Sequence, residues 1–316
     1  MGAVPGPEAT PTGPWSPLVS VIVPTHLPDP PYLGETVASV VGQDWANWEV
    51  IVVDDGSAAT TERLAELIGT EPRISLVRAP KGGLSRARNL ALEHARGELV
   101  AYLDSDDYWY PHHLSRAVAA LAGHEEAIGV YSIIAQVWDN EKEPFEVNRQ
   151  SGPVDRRTAL SGGNRPFITT LVARRQAVEA AGGFDPRFDG AEDKDFIYRL
   201  LEKGPCLRLD DVTVAYRTHG SNVSADPVRS FKVDARVLAA HRARALAAGD
   251  NQAAADIAVG LRALRQYTAG VCVSGAMAAT KSHEFTRAAY FALWSLRCSP
   301  SKAVRTAASA IWKAAR

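Results

Sequence analysis

Cysteine is scarce in this chain. The three that occur, Cys206, Cys272 and Cys298, are far apart and odd in number. They suit neither a disulfide framework nor a zinc spacing, so reduced cytosolic thiols are expected. Long apolar runs are missing too, and no stretch approaches the ~18 residues needed to span a bilayer. Residues 1–17 have no apolar core, so no signal peptide is expected there. They are rich in Pro, Gly and Thr and read as a disordered tail. The net charge is only −1, so the chain as a whole advertises no nucleic-acid or membrane partner. Two nucleotide-binding devices are also absent. No Gly-x-Gly-x-x-Gly follows the first expected strand, and no Gly-x-x-x-x-Gly-Lys-Ser/Thr occurs anywhere, which argues against a dinucleotide enzyme and a P-loop ATPase.

What is present centres on Gly97-Glu-Leu-Val-Ala-Tyr-Leu-Asp-Ser-Asp-Asp107. Leu99 to Leu103 is long enough for one buried strand, and it ends in Asp104, Asp106 and Asp107. Carboxylates crowded at a strand end repel one another and call for a compensating cation. Oxygen ligands suit Mg²⁺ or Mn²⁺, which often bridge one or two carboxylates to substrate phosphates. The plainer reading is a solvated acidic turn.

Upstream, residues 18–24 read as a buried first strand, with Thr25 and His26 at its end. Residues 33–43 have helical spacing. Residues 49–57 form a second strand ending in Asp54 and Asp55, with Gly56 making the turn. Residues 60–68 are a short helix and residues 74–77 a third strand. Lys81, Gly82 and Gly83 lead into a helix over 84–95. This alternation means an α/β layer with a mostly parallel sheet. Ligands bind beyond the carboxyl ends of such strands, where His26, Asp54, Asp55, Asp104 and Asp106 all fall. Lys81, Arg86 and Arg88 offer cations nearby. For Arg86 a solvated helix face is the preferred reading.

Downstream, a helix runs to about Leu121 and a strand region covers 127–138. Residues 139–153 are a polar excursion, residues 167–172 a strand, and residues 174–181 a helix. Glu192 to Leu201 is an amphipathic helix with Glu192 and Asp193 in its first turn, where the helix dipole favours carboxylates. Ordinary N-terminal charging explains them equally well. Residues 211–216 form a half-exposed strand, and His219 follows it, as a ligand or, more plainly, a turn residue. From about Val228 the pattern is helical, over 228–248, 251–279, 283–297 and 301–315. From His241 onward eleven Lys/Arg face three Asp/Glu. The last helix, with Lys302, Arg305, Lys313 and Arg316 beside Val304, Ile311 and Trp312, has the make-up of one that lies on an anionic membrane surface or docks on its own domain.

With these pieces in place, residues 18–224 resemble family 2 glycosyltransferases of the GT-A fold. The matching pieces are Val19-Ser-Val-Ile-Val-Pro24, Ser39-Val-Val-Gly-Gln43, Glu49 to Ser57, Ala87-Arg-Asn89, Ala95-Arg-Gly97, Leu103-Asp-Ser-Asp-Asp107, Gly183-Phe-Asp185 and Glu192-Asp193. Each is weak alone, but eight in order are specific. The resemblance implies a GT-A nucleotide-diphospho-sugar transferase domain over 18–225, with a donor half (about 18–110) and an acceptor half (about 111–225). A C-terminal helical extension covers 226–316. It implies an inverting transferase that takes a sugar from a nucleotide-diphosphate sugar, with a UDP-sugar favoured. The acceptor is a hydroxyl on a sugar, a lipid-linked sugar or a small molecule, in cell-envelope polysaccharide or natural-product glycosylation.

The resemblance also suggests roles for particular residues. The donor nucleotide site comprises Pro24, Thr25, His26, Asp54, Asp55, Lys81, Arg88 and Asp104. Mn²⁺ or Mg²⁺ is held by Asp106 with Asp104, and with His219 near the metal and diphosphate. Asp193 is the general base. The departures inform as well. His26-Leu27 stands where the family commonly has Tyr-Asn. Phe196-Ile-Tyr-Arg-Leu200 stands where processive members carry Gln-x-x-Arg-Trp, so one sugar per encounter is expected. A cytoplasmic location, with contact at the inner face of the membrane through the basic helices, completes the expectation. The rivals are a sugar-nucleotide pyrophosphorylase, which would show a Gly-rich basic loop after the first strand, and a non-catalytic relative that binds nucleotide-sugars.

Overall fold

A computed structural model describes residues 15–26, 32–59, 61–138, 143–148, 154–163, 166–219 and 226–314. Most of the expected tail, Leu27, and residues 139–142 and 149–153 of the expected polar excursion lie outside the described residues. The chain divides into two compact units, Met1–Ala159 with Asn164–Gly220, and Leu160–Gly163 with Ser221–Arg316.

The first unit begins with strand β1 (Val19–Thr25), helix α1 (Leu33–Val41), β2 (Trp48–Asp55), α2 (Thr61–Ile68), β3 (Ile74–Ala79), α3 (Leu84–His94) and β4 (Leu99–Tyr102). β1 pairs in parallel with β2 and β4, and β2 with β3. Every residue of β1, β2 and β4 is buried. Strands apolar on both faces are what a parallel sheet covered on both sides requires. Val21, Val23, Val50 and Val52 form its centre with Leu33, Val37 and Leu64. Each such side chain contributes about 1.5–3 kcal/mol by leaving water.

The second half continues through β5 (Tyr108–Trp109), α4 (His113–Ala122), β6 (Gly129–Trp138), β7 (Pro144–Asn148), α5 (Arg156–Leu160), β8 (Val172–Arg174), α6 (Arg175–Ala180), α7 (Glu192–Leu200) and β9 (Cys206–Thr218). The sheet order is β3-β2-β1-β4-β8-β6-β9-β5, with β7 on β6. β8 runs antiparallel to both β4 and β6, so the sheet is parallel in its first half and mixed in its second.

Three expectations change here. Residues 167–172 are not a strand. Ile168–Thr170 is a 3₁₀ turn and only Val172–Arg174 is a paired strand, because the Thr170 hydroxyl donates to Phe167 O and buried Trp109 Nε1 donates to Thr169 O at 2.9 Å. The last strand is longer than 211–216, since it pairs with β6 from Gly129↔Cys206 to Trp138↔Thr218. Within the polar excursion, Pro144–Asn148 is extended and pairs with Ile134–Val137.

The second unit holds α8 (Pro227–Ala247), α9 (Asn251–Lys281), α10 (Phe285–Cys298) and α11 (Pro300–Ala314). Asp226 caps α8 by accepting from Val228 N–H at 2.9 Å, and Asp250 caps α9 by accepting from Ala253 N–H at 2.9 Å. Pro227 at the first helical position and Gly249 at φ +73° between the helices punctuate the run. Val228, Cys272 and Phe291 form its core with Trp294 against them. Gly275 lets the Phe291 ring close on α9, since a Cβ there would lie 3.0 Å from it. Among the described residues, no helix is long and apolar enough to cross a membrane.

Candidate active site

β1, β2 and β4 are parallel neighbours, so their carboxyl ends lie together. Past β4 the chain turns through Asp104, Ser105, Asp106 and Asp107. Asp107 N–H donates back to Asp104 O at 3.0 Å, and the Thr36 hydroxyl lies within reach of the carbonyls of Ser105 and Asp107, at 3.0 and 2.8 Å. Asp107 turns inward. Its Oδ1 accepts from Arg217 N–H at 2.9 Å, and burial, followed by the charges of Asp106 and Asp104, pushes its carboxyl well above the ordinary range. Arg217 also donates through Nε to Asp106 O at 3.0 Å, pairs with Glu35, and lies over the Tyr32 ring at 4.4 Å. Asp107 therefore pins the turn, while Asp104 and Asp106 remain partly exposed.

Arg88 is a second buried cation of the site, beside Arg217. Only 2% of its side chain is exposed. It donates to Asp104 Oδ1 at 2.7 Å and to Glu192 Oε1 at 2.8 Å. Burial alone would lower its pKa, but the two carboxylates, with Asp193 adding to them, raise it instead. The second Glu192 oxygen accepts from Gly190 N–H at 2.8 Å. Burial, offset by Arg88, leaves the Glu192 carboxyl raised. Asp193, one position on, is partly exposed. Successive helical residues point about 100° apart, so one acid of the pair turns into the Arg88 clamp and the other does not.

The remaining expected donor residues lie at neighbouring strand ends. Pro24 and Thr25 are buried and His26 is exposed. Asp54 is fully buried, with Oδ2 taking Arg78 Nε at 2.9 Å and Oδ1 taking Ser57 N–H at 3.0 Å. Asp55 holds the loop before α3, accepting from Gly82 and Gly83 N–H at 2.6 and 2.8 Å. The turn between them needs Gly56. Its φ is +67°, and a Cβ would clash with the Lys81 backbone nitrogen. Lys81 and Arg86 are exposed.

For a metal, the structure offers Asp106 and His219. His219 Nε2 lies 3.0 Å from Asp106 Oδ2, and its ring stacks on Tyr32 at 5.5 Å. Burial, then the charge of Asp104, raises the Asp106 carboxyl, with His219 opposing. Among the described residues, no group of three or more His, Cys, Asp or Glu is spaced to hold a metal ion. One of the Asp104 oxygens is already engaged by Arg88. This donor set is too sparse for an all-protein cage. It fits a hard cation that completes its shell with phosphate oxygens and water.

Other short motifs of the sequence serve as joints. Asn89 clamps Phe184 by donating to its O and accepting from its N–H, both at 2.8 Å. Gln43 donates to Tyr110 O at 2.9 Å and accepts from Leu114 N–H at 2.9 Å, fixing the segment after the acidic turn. Ser20 donates to Glu49 at 2.7 Å and accepts from Gly97 N–H at 2.8 Å. Burial would raise the Glu49 carboxyl, but Arg96 and Ser20 outweigh it and hold it low. Phe196 lies in an aromatic cluster with Phe184 and Tyr102, at ring distances of 4.4 and 5.8 Å. Sequence reasoning missed Glu192 as the Arg88 partner and Arg217 as the pin of the acidic turn. The only signal for Arg217 was its place two residues before His219.

Comparison with known proteins follows the same outline. The family model described as glycosyl transferase family 2 matches residues 20–179. The putative teichuronic acid biosynthesis glycosyltransferase TuaG of Bacillus subtilis is 39% identical over 223 residues, which is 69% of this chain and 86% of that protein. Several other curated relatives are much longer, and the chain spans only 18% to 26% of their length. Among solved structures, S. aureus TarS 1–349 in complex with UDP-GlcNAc aligns at TM-score 0.57 and 19% identity, covering 88% of this chain and 91% of that one. The mannosyltransferase PcManGT from Pyrobaculum calidifontis, in complex with GDP-Man and Mn²⁺, aligns at TM-score 0.56 and 22% identity, covering 90% and 88%. At these identities the two structures speak to the fold alone.

Proposed function

The chain belongs to glycosyl transferase family 2, is a glycosyltransferase built on the GT-A fold, and from that premise we propose that it moves one sugar from a nucleotide-diphosphate sugar to an acceptor hydroxyl, inverting the anomeric centre. The observation that carries this reading is the Arg88 clamp. One buried guanidinium ties Asp104 of the acidic turn to Glu192 of α7, so the expected metal-binding turn and the expected base are built on one frame.

In this mechanism the acceptor oxygen attacks the anomeric carbon from the face opposite the diphosphate. The new carbon–oxygen bond forms as the sugar–phosphate bond breaks, and the electron pair leaves with the diphosphate. The acceptor proton goes to Asp193. General-base help of this kind is worth about 10²- to 10⁴-fold. Both Glu192 oxygens are engaged, by Arg88 and by Gly190 N–H, which favours Asp193 as the base. Asp106, with Asp104 and His219 near it, would hold Mn²⁺ or Mg²⁺, which when bound supplies Lewis-acid stabilisation of the departing charge. Residues 24–26, Asp54, Asp55 and Lys81 would flank the nucleotide, with Asp54 and Asp55 shaping the pocket wall through the contacts above.

A UDP-sugar is the favoured donor, the choice that the family resemblance implies. Cell-envelope polysaccharide assembly is the favoured setting, because TuaG is named for teichuronic acid biosynthesis. The catalytic unit is assigned to residues 18–225, in the cytoplasm, with peripheral contact at the inner face of the membrane through the basic C-terminal helices. The pyrophosphorylase rival has no support from the family match.

A thermal-shift and donor-hydrolysis screen of nucleotide-sugars tests the reading, since a ligand bound by the native state raises its melting temperature. The expected result is a shift and slow hydrolysis with one nucleotide-sugar in Mn²⁺, both lost in EDTA. If no nucleotide-sugar produces either, the proposal fails.

A further inference from the structure

Helix α10 is apolar on two opposite sides. Ala288, Phe291, Ser295 and Cys298 form its buried side, with Phe291 in the core of the helical unit. On the other side stand Phe285, Ala289, Leu293 and Leu296, all exposed, with Phe285 at 64% and Leu293 at 69%. At 100° per residue these four fall within about 80° of the helix circumference. No charged residue interrupts that arc, and Arg297 borders it. An ordinary surface helix turns polar residues outward. This one presents a continuous apolar stripe.

The charge of this part of the sequence indicates what covers the stripe. From Ile257 to Arg316 there are nine Lys/Arg and one acid, Glu284, and Glu284 is paired with Arg287 at 3.0 Å. A second copy of this chain docked on the stripe across a two-fold axis would bring the Arg297 that borders it close to its own mate, within a segment that is basic throughout. A bilayer carrying anionic headgroups satisfies both the stripe and the cations. Tyr290, 42% exposed, falls next to Arg297 at 100° per residue and is the kind of amphipathic side chain that suits a lipid–water boundary.

We propose that the exposed stripe of α10 is a docking face for an anionic lipid bilayer, with the helix lying flat in the headgroup region. This deepens the peripheral-contact part of the reading above and stands apart from sugar transfer. It also moves the apolar contact from the last helix, expected from the sequence, to the one before it.

Flotation of the full chain with vesicles tests it, alongside donor hydrolysis measured without vesicles. The protein should float with phosphatidylcholine vesicles that contain phosphatidylglycerol, and about tenfold less with phosphatidylcholine alone or in high salt. Leu293→Glu with Leu296→Glu should weaken flotation by about tenfold or more and leave the melting temperature and donor hydrolysis at parental values. Arg297→Glu keeps the stripe and should weaken flotation about fivefold. It carries the test if the double variant fails to fold. A parent that does not float, or variants that float as well as the parent, overturn the proposal. So does a parental dimer, seen by light scattering, that the double variant splits. A failure to hydrolyse any donor would count against the transferase reading and leave the flotation result standing.

Discussion

Arg88 Nη1 donates to Glu192 Oε1 at 2.8 Å across 104 residues of sequence, and both side chains are buried. With its other terminal nitrogen on Asp104, Arg88 neutralises a carboxylate on each side. Removing Arg88 leaves the Glu192 carboxyl without its partner in a buried place, while Asp104 is partly exposed.

Arg88→Met should therefore cost about 3–5 kcal/mol of unfolding free energy. Adding Glu192→Gln should restore part of that loss, because the orphaned charge is gone. Urea unfolding of the two single variants and the double variant measures the coupling. A loss below about 1 kcal/mol would mean that the clamp behaves as an exposed pair.

Asp193→Asn keeps the volume and the helix start but removes the basicity. The expected fall in kcat is at least ~10²-fold, with the nucleotide dissociation constant roughly unchanged, because the carboxylate matters only as the acceptor proton leaves. Glu192→Gln should instead lower the melting temperature and weaken donor binding. If Glu192→Gln is dead at parental stability and Asp193→Asn is active, the roles are reversed.

Asp106→Asn removes a ligand charge from a partly exposed position and should abolish metal-dependent turnover with little change in melting temperature. EDTA should mimic it in the parent. Near-normal turnover in EDTA would sink the metal assignment.

His113 gives a pH prediction away from the site. Burial, then the neighbouring His112, pushes its pKa down to about 3. Its Nδ1 meets the Thr213 hydroxyl at 2.7 Å, and the ring lies 4.2 Å from Trp109. In the unfolded chain this imidazole takes a proton near pH ~6.5, while in the fold it resists until about pH 3. The stability it contributes is thus present at neutral pH and lost as the pH falls through that window. Between about pH 6.5 and 4.5 the loss should approach ~2–3 kcal/mol. His113→Gln should flatten this component. A gap between parent and variant that does not change with pH would refute it.

The sequence itself determined the alternation of buried strands and amphipathic helices, because periodicity and turn chemistry act over a few residues. β1, β2, β3, α3 and α8 to α11 begin and end within two residues of their expected bounds. It also determined that acids would stand at strand ends, since strand direction in a parallel sheet follows from connectivity. Tertiary structure decided which acids face inward. Asp107 looks like Asp104 and Asp106 in the sequence, yet a backbone N–H 110 residues away claims it. Glu192 looks like Asp193, yet Arg88 claims it. Residues 167–172 have a strand's composition, and a tryptophan from β5 bends them into a turn. In each case the deciding partner is remote along the chain, and it exerts its effect through burial and hydrogen bonds that exist only once the sheet has brought the segments together.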